Sequence, residues 1–135
     1  MMVALSGAIA QAPDFSRWYP YQEASHYAQQ AGRVLLVYFW SHGCSYCLQM
    51  NTFVFSDPVV SDLLEQKFVV ASVDSQSSTG YTLTRQMRAF GTPVLVFLVY
   101  QKGEWQELGR LFGSRPRGQF VKELQAMCKA GGNCG

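Results

Sequence analysis

Residues 34–47 read Val34-Leu35-Leu36-Val37-Tyr38-Phe39-Trp40-Ser41-His42-Gly43-Cys44-Ser45-Tyr46-Cys47, and the fold turns on how they are understood. The first seven are apolar, β-branched or aromatic with no polar alternation, which is the pattern of a strand covered on both faces. Ser41, His42 and Gly43 break it. From Cys44 onward Tyr46, Cys47, Met50 and Phe53 or Val54 recur at helical spacing, so the cysteine pair stands where a buried strand gives way to a helix. A cysteine in the first turn of a helix has its thiolate stabilised by unpaired backbone N–H groups and by the positive end of the helix dipole. Cys47 lies one turn further along the same face, within reach of a disulfide and more deeply set. That geometry makes Cys44 the attacking thiol and Cys47 the one that resolves a mixed disulfide. The bare spacing also suits half of a zinc site, but the strand-turn-helix setting favours redox chemistry.

Upstream, residues 21–31 place Ala24, Ala28 and Ala31 on one stripe with Gly32 as a stop, a helix that leads into the strand. Downstream, Ser56-Asp57-Pro58 is a cap followed by proline at the first helical position, opening a helix through Val59, Val60, Leu63 and Leu64. Residues 68–73 form a second buried strand closed by Asp74. A polar loop is expected over 75–80 and a helix over 81–90, with Leu83, Met87 and Phe90 facing inward. Gly91-Thr92-Pro93 punctuates the chain before a third strand at 94–100. Pro93 suits either a plain strand start or a cis residue beside an active site. A tight hairpin at Gln101-Lys102-Gly103-Glu104 leads to a fourth strand over 105–112, and an amphipathic helix through Phe120, Val121, Leu124 and Met127 fills 116–130. Strands alternating with helices, then two strands joined by a turn, indicate an α/β layered domain with a mixed sheet.

Taken in order, Phe39-Trp40, Cys44-Ser45-Tyr46-Cys47, the strand that ends at Asp74 and Gly91-Thr92-Pro93-Val94 resemble the thioredoxin superfamily over about residues 21–130. The segment from Thr52 to Val60 is similar to the periplasmic thioredoxin-like branch, which includes the C-terminal domain of the transmembrane thiol:disulfide interchange protein and the thioredoxins of sulfur oxidation. The resemblance implies a thioredoxin fold, with a central mixed sheet of about four strands, or five, flanked by helices. It implies a cis-Pro93 loop facing the disulfide, with the Thr92 backbone pairing an incoming peptide strand. It further implies a reducing role toward oxidised proteins outside the cytoplasm, re-supplied by an upstream thiol partner, with no metal and no cofactor beyond the cysteine pair.

The chain departs from that pattern at named positions. Gly43 precedes the first cysteine where many thioredoxins have tryptophan, and Ser45-Tyr46 replaces Gly-Pro between the pair. Tyr38 takes the place of an acidic residue in the preceding strand, so a proton relay for Cys47 must come from elsewhere or from water. His42 is the nearest ionisable candidate, and if charged it would stabilise the Cys44 thiolate. Trp40 and Tyr46 flank the motif and are candidates for an apolar apron under a peptide substrate. His26 reads as exposed helix surface.

The whole chain has 135 residues, 48% hydrophobic and 15% charged, which is one domain with a sizeable core and excludes wholesale disorder. A net charge of +2 is too small and too evenly spread to serve as a nucleic-acid footprint. Residues 1–12 are uncharged and mostly apolar and small with Ala-x-Ala endings, similar to the end of a secretory signal peptide, and are expected to be its remnant or a flexible N-terminus. Residues 13–130 are the expected domain, and 131–135 a Gly-rich tail carrying Cys134. No segment has the 18 or more apolar residues of a membrane span, by the rule that about 18–20 are needed. Cys128 and Cys134 are expected to form a structural disulfide on the tail, with a second redox pair as the alternative. The expected function is thus an extracytoplasmic, monomeric thiol:disulfide reductase of proteins. A disulfide oxidase or isomerase of the same fold, and a non-catalytic binding or metal-holding module, are the competing readings.

Overall fold

The computed structural model describes residues 18–132 and 134, and the leader-like stretch 1–12 lies outside them. In chain order the elements are α1 (Tyr21–Ala31), β1 (Val34–Trp40), α2 (Ser45–Gln49) running on into a π-helical stretch (Met50–Val54), α3 (Pro58–Lys67), β2 (Phe68–Asp74), α4 (Ser78–Met87), β3 (Val94–Gln101), β4 (Glu104–Phe112) and α5 (Arg117–Ala130). The four strands lie in the order β2-β1-β3-β4. β1 runs parallel to β2 and antiparallel to β3, and β3 and β4 form the antiparallel hairpin. Among the described residues the fifth strand allowed for in the sequence is a single bridge beside β2: Tyr19 N–H donates to Val70 O at 3.1 Å, and Tyr19 O accepts from Ser72 N–H at 3.0 Å.

Every residue of β1 is buried because the strand is central and both faces of the sheet are covered. Val34, Leu36, Tyr38 and Trp40 face one layer, built from Cys47, Met50 and Val54, from Val60 and Leu64 of α3, and from Phe120, Leu124 and Cys128 of α5. Leu35, Val37 and Phe39 face the other, with Ala24 and Ala28 of α1 and Leu83 of α4. A fully buried Leu, Val or Phe contributes about 1.5–3 kcal/mol over its exposed state. β4 is the exposed-edge partner and is correspondingly polar, with Gln106, Glu107 and Arg110 in its sequence. At the hairpin, Lys102 and Gly103 both adopt positive φ (56° and 80°), which matches the twist of the flanking strands.

α4 differs from the expectation. It begins at Ser78 rather than 81, because Ser77 caps it by accepting a hydrogen bond from Gly80 N–H at 2.9 Å. It ends at Met87, where Arg88 turns left-handed (φ 54°), so Phe90 falls outside the helix and is 63% exposed rather than facing inward. α3 begins as expected, with Asp57 Oδ2 accepting from Val59 and Val60 N–H and Pro58 in the first turn.

Candidate active site

Cys44 is the N-cap of α2, placed there because β1 ends at Trp40 and Gly43, at φ 80°, supplies the left-handed turn that precedes it. Cys44 and Cys47 are joined as a disulfide with Cα atoms 5.2 Å apart. Cys47 N–H points at Cys44 Sγ at 3.1 Å, so the backbone offers a donor to the sulfur that would carry negative charge on reduction. Cys44 is half-buried and Cys47 is fully buried, an asymmetry that leaves one sulfur open to a partner and shelters the other.

Thr92–Pro93 is a cis peptide and leads directly into β3. Because β1 and β3 are antiparallel neighbours with Phe39 opposite Val94, the Thr92–Pro93 loop and the cysteine loop emerge at the same end of the sheet. Ser41 Oγ and Thr92 Oγ1 are hydrogen-bonded across that gap at 2.8 Å. Ser41 carried no signal by itself, since its partner is 51 residues away and is visible only once the strand register is known.

The flanking residues are placed less evenly. Tyr46 is 58% exposed beside the disulfide and, with Phe53, Val54, Ser114, Arg115 and Arg117, lines an open groove of about 610 Å³. Trp40 does not share that surface as the sequence reading had it. It is buried, with its indole N–H donated to Ser72 Oγ at 2.9 Å, because strand alternation turns it into the core layer beneath the motif. Phe53 and Arg117 were missed because the groove joins two segments far apart in the chain.

His42 is half exposed, and its ring lies edge-on to Trp40 with Nε2 3.5 Å from Asp74 Oδ2. The His42 backbone N–H donates to Gln76 Oε1 at 3.2 Å, while Asp74 Oδ1 accepts from the Gln76 backbone N–H at 2.9 Å. A positive charge on His42 would thus be met first by the Asp74 carboxylate. Tyr38 is completely buried, edge-on to Trp18 and Phe55, and its hydroxyl donates to Asn51 Oδ1 at 3.3 Å. Burial pushes its phenol well above the ordinary tyrosine value. Among the described residues no charged side chain is buried, so the interior beneath Cys47 holds no carboxylate.

Cys128 and Cys134 form the second disulfide, with Cα atoms 5.1 Å apart. Cys128 is fully buried at the C-terminal end of α5, and Cys134 packs against the same core from the tail. The described residues contain no group of three or more His, Cys, Asp or Glu that could hold a metal ion, and no helix long and apolar enough to cross a membrane.

Among the described residues a mixed four-stranded sheet flanked by five helices, with a C-x-x-C disulfide at the first strand-to-helix junction, defines a thiol:disulfide oxidoreductase of the thioredoxin fold. The sequence matches the family model of the thioredoxin-like domain over residues 21–127. The chain therefore belongs to the thioredoxin-like family. Among solved structures it is similar to a thioredoxin from Thermus thermophilus at 58% identity, with a TM-score of 0.82 over 87% of this chain and 91% of that one. The DsbH oxidoreductase shares the fold at 19% identity and a TM-score of 0.69, covering 96% of this chain and 92% of that one. The reduced DsbD C-terminal domain of Neisseria meningitidis shares it at 15% identity and a TM-score of 0.62, covering 78% and 91%. The comparison with curated proteins gave no match.

Proposed function

We propose that this protein reduces disulfides of other proteins outside the cytoplasm, with Cys44 as nucleophile and Cys47 as resolving thiol. The observation that carries the reading is the asymmetric Cys44–Cys47 pair, with the Cys47 N–H directed at Cys44 Sγ. In the reduced protein the Cys44 thiolate attacks one sulfur of a substrate disulfide. A Cys44–substrate S–S bond forms, the substrate bond breaks, and the other substrate sulfur leaves as a thiolate that takes up a proton. Cys47, having lost its proton to water, attacks Cys44 Sγ and expels the second substrate thiolate. Two electrons have then passed to the substrate, and the protein holds the Cys44–Cys47 disulfide. A dithiol donor protein restores the starting state by the same exchange in reverse. The Thr92–Pro93 loop presents its backbone to the substrate strand, and Tyr46 supplies exposed apolar surface beside it. No metal or organic cofactor enters the reaction.

The reducing direction is supported by the 58% identity to a protein described as a thioredoxin. The location is supported by the leader-like composition of residues 1–12 and by a second cysteine pair on the tail, since paired cysteines persist where the surroundings are oxidising. Cys44→Ser is expected to abolish dithiol-driven reduction of insulin, and Cys47→Ser to accumulate a mixed disulfide visible on non-reducing gels. Undiminished turnover in Cys44→Ser would overturn the assignment of the nucleophile. Equilibration against glutathione tests the direction: a potential near the about −120 mV of the strong oxidants would make the protein a disulfide donor instead. Recovery of the protein in the cytoplasmic fraction of its source cells would overturn the location.

A further inference from the structure

β1 and β3 are antiparallel, and their backbone ladder runs from Leu35 opposite Leu98 to Phe39 opposite Val94. One step further the register brings Trp40 level with Pro93, which has no N–H to give, and the ladder ends. One step beyond that it brings Ser41 level with Thr92, and there two side chains take over: the hydroxyls are bonded at 2.8 Å in a half-buried setting. From Ser41 the chain passes through His42 and Gly43 to Cys44, while from Thr92 it passes to Pro93. The two loops that would hold a substrate sulfur between them are thus fastened by a rung made of hydroxyls, placed where the backbone can no longer supply one. The cysteine loop is also held from its other side, since His42 N–H donates to Gln76 and Ser75 N–H to Trp40 O at 2.8 Å.

We propose that the Ser41–Thr92 hydroxyl pair is a positioning device for thiol–disulfide exchange, setting the offset between Cys44 and the substrate-facing Thr92–Pro93 loop. This rests on the reading that Cys44 attacks a protein disulfide whose flanking strand lies along that loop. Exchange needs three sulfurs in line, and the Cys44 sulfur must meet its target at a reacting distance of about 3–3.5 Å. The loop that carries Thr92 leaves α4 through a left-handed Arg88 and a Gly91 at φ 89°; on its β4 side Pro93 O accepts from Gly113 N–H at 2.9 Å, and on its β1 side the hydroxyl pair ties it to the cysteine loop. Ser41 and Thr92 act through this placement, and their hydroxyls donate nothing to the reacting sulfurs.

The test uses the full chain with Ser41→Ala, Thr92→Val, the double variant and Thr92→Ser. The readouts are kcat/KM for dithiol-driven insulin reduction and the reduction potential of the Cys44–Cys47 pair against glutathione. Each hydroxyl deletion is expected to lower kcat/KM by about three- to tenfold, the scale of one neutral hydrogen bond. The double variant should lose no more than either single one, because the same bond is removed once. Thr92→Ser should restore the rate, and the potential should stay at the wild-type value throughout. Wild-type rates in both single variants, additive losses in the double one, or a potential shift that accounts for the loss would overturn the proposal. A wild-type protein inactive toward insulin would instead overturn the underlying reading and take the clasp with it. An active wild type with unaffected variants fails the clasp alone.

Discussion

At the scale of single residues, Tyr38 shows how one substitution changes the interior under a redox site. It stands six positions before Cys44, where the family resemblance leads one to expect a carboxylic acid, and it is buried without any exposure. The phenol is kept neutral by burial, with its folded-state pKa raised above the ordinary value of 10.0. Stability from the neutral buried form is fully present below that unfolded value and is lost as pH rises beyond it toward the folded one. Tyr38→Phe gives up the bond to Asn51 and should cost about 0.5–1.5 kcal/mol at neutral pH. Above about pH 10 the wild type alone has a phenol at this position that ionises on unfolding, so the gap between the two proteins should narrow and then reverse. Urea midpoints measured from pH 8 to 11 check this, and parallel curves for the two proteins would refute it. The identity of Tyr38 was legible in the sequence. Its bond to Asn51 was not, because it depends on the π-helical stretch that follows α2, and nothing in the spacing of Met50 to Val54 distinguishes that from an ordinary helix. The same limit applies to Trp40 and His42, whose closeness to the motif was plain but whose ring directions are set by Ser72 and Asp74 on β2.

At the scale of elements, glycine positions separate local propensity from packing. Gly80 lies in the first turn of α4, and a Cβ there would collide with the carbonyl oxygen of Asp74. Gly118 lies in the first turn of α5 with open space around it. Alanine favours a helix over glycine by about 1 kcal/mol when nothing else changes. Gly118→Ala should therefore raise the thermal midpoint, while Gly80→Ala should lower it, because overpacking there costs about 1–3 kcal/mol. A rise in both would mean that α4 can shift away from Asp74 at little cost. The bounds of α1, β1 and α3 were readable because caps and breakers flank long patterned runs: Gly32, Ser41 and Asp57-Pro58. The start of α4 was not. Its polar first turn, Ser78-Thr79-Gly80, looks like loop, and only the Ser77 cap seated on Asp74 makes it helical.

At the scale of the molecule, the layered α/β architecture followed from the alternation of buried strands with helices, while the strand order did not, since β1, β2 and β3 are all near-continuous apolar runs that could pair in several ways. α5 runs from Arg117 to Ala130. Its first residue, Arg117, lines the groove beside Tyr46 and is ion-paired with Asp57 at 3.2 Å. Cys128 lies three turns further on, about 16 Å along the helix at 1.5 Å per residue. The tail pair is thus held three helical turns from the end of α5 that lines the groove, a placement that favours a staple over a relay. Closing so short a loop stabilises by about 2 kcal/mol in the chain-entropy account. Cys134→Ser removes the cross-link while leaving the buried Cys128 side chain in the core, so loss of packing at Cys128 does not confuse the result. With Cys44–Cys47 kept oxidised, its denaturation free energy should fall by about that amount. Dithiol-driven insulin reduction at a temperature well below the transition should continue at the wild-type rate. A loss of turnover as deep as that expected for Cys44→Ser, in protein shown to be folded, would mean that electrons pass between the pairs through an opened α5, and the staple assignment would have to be given up.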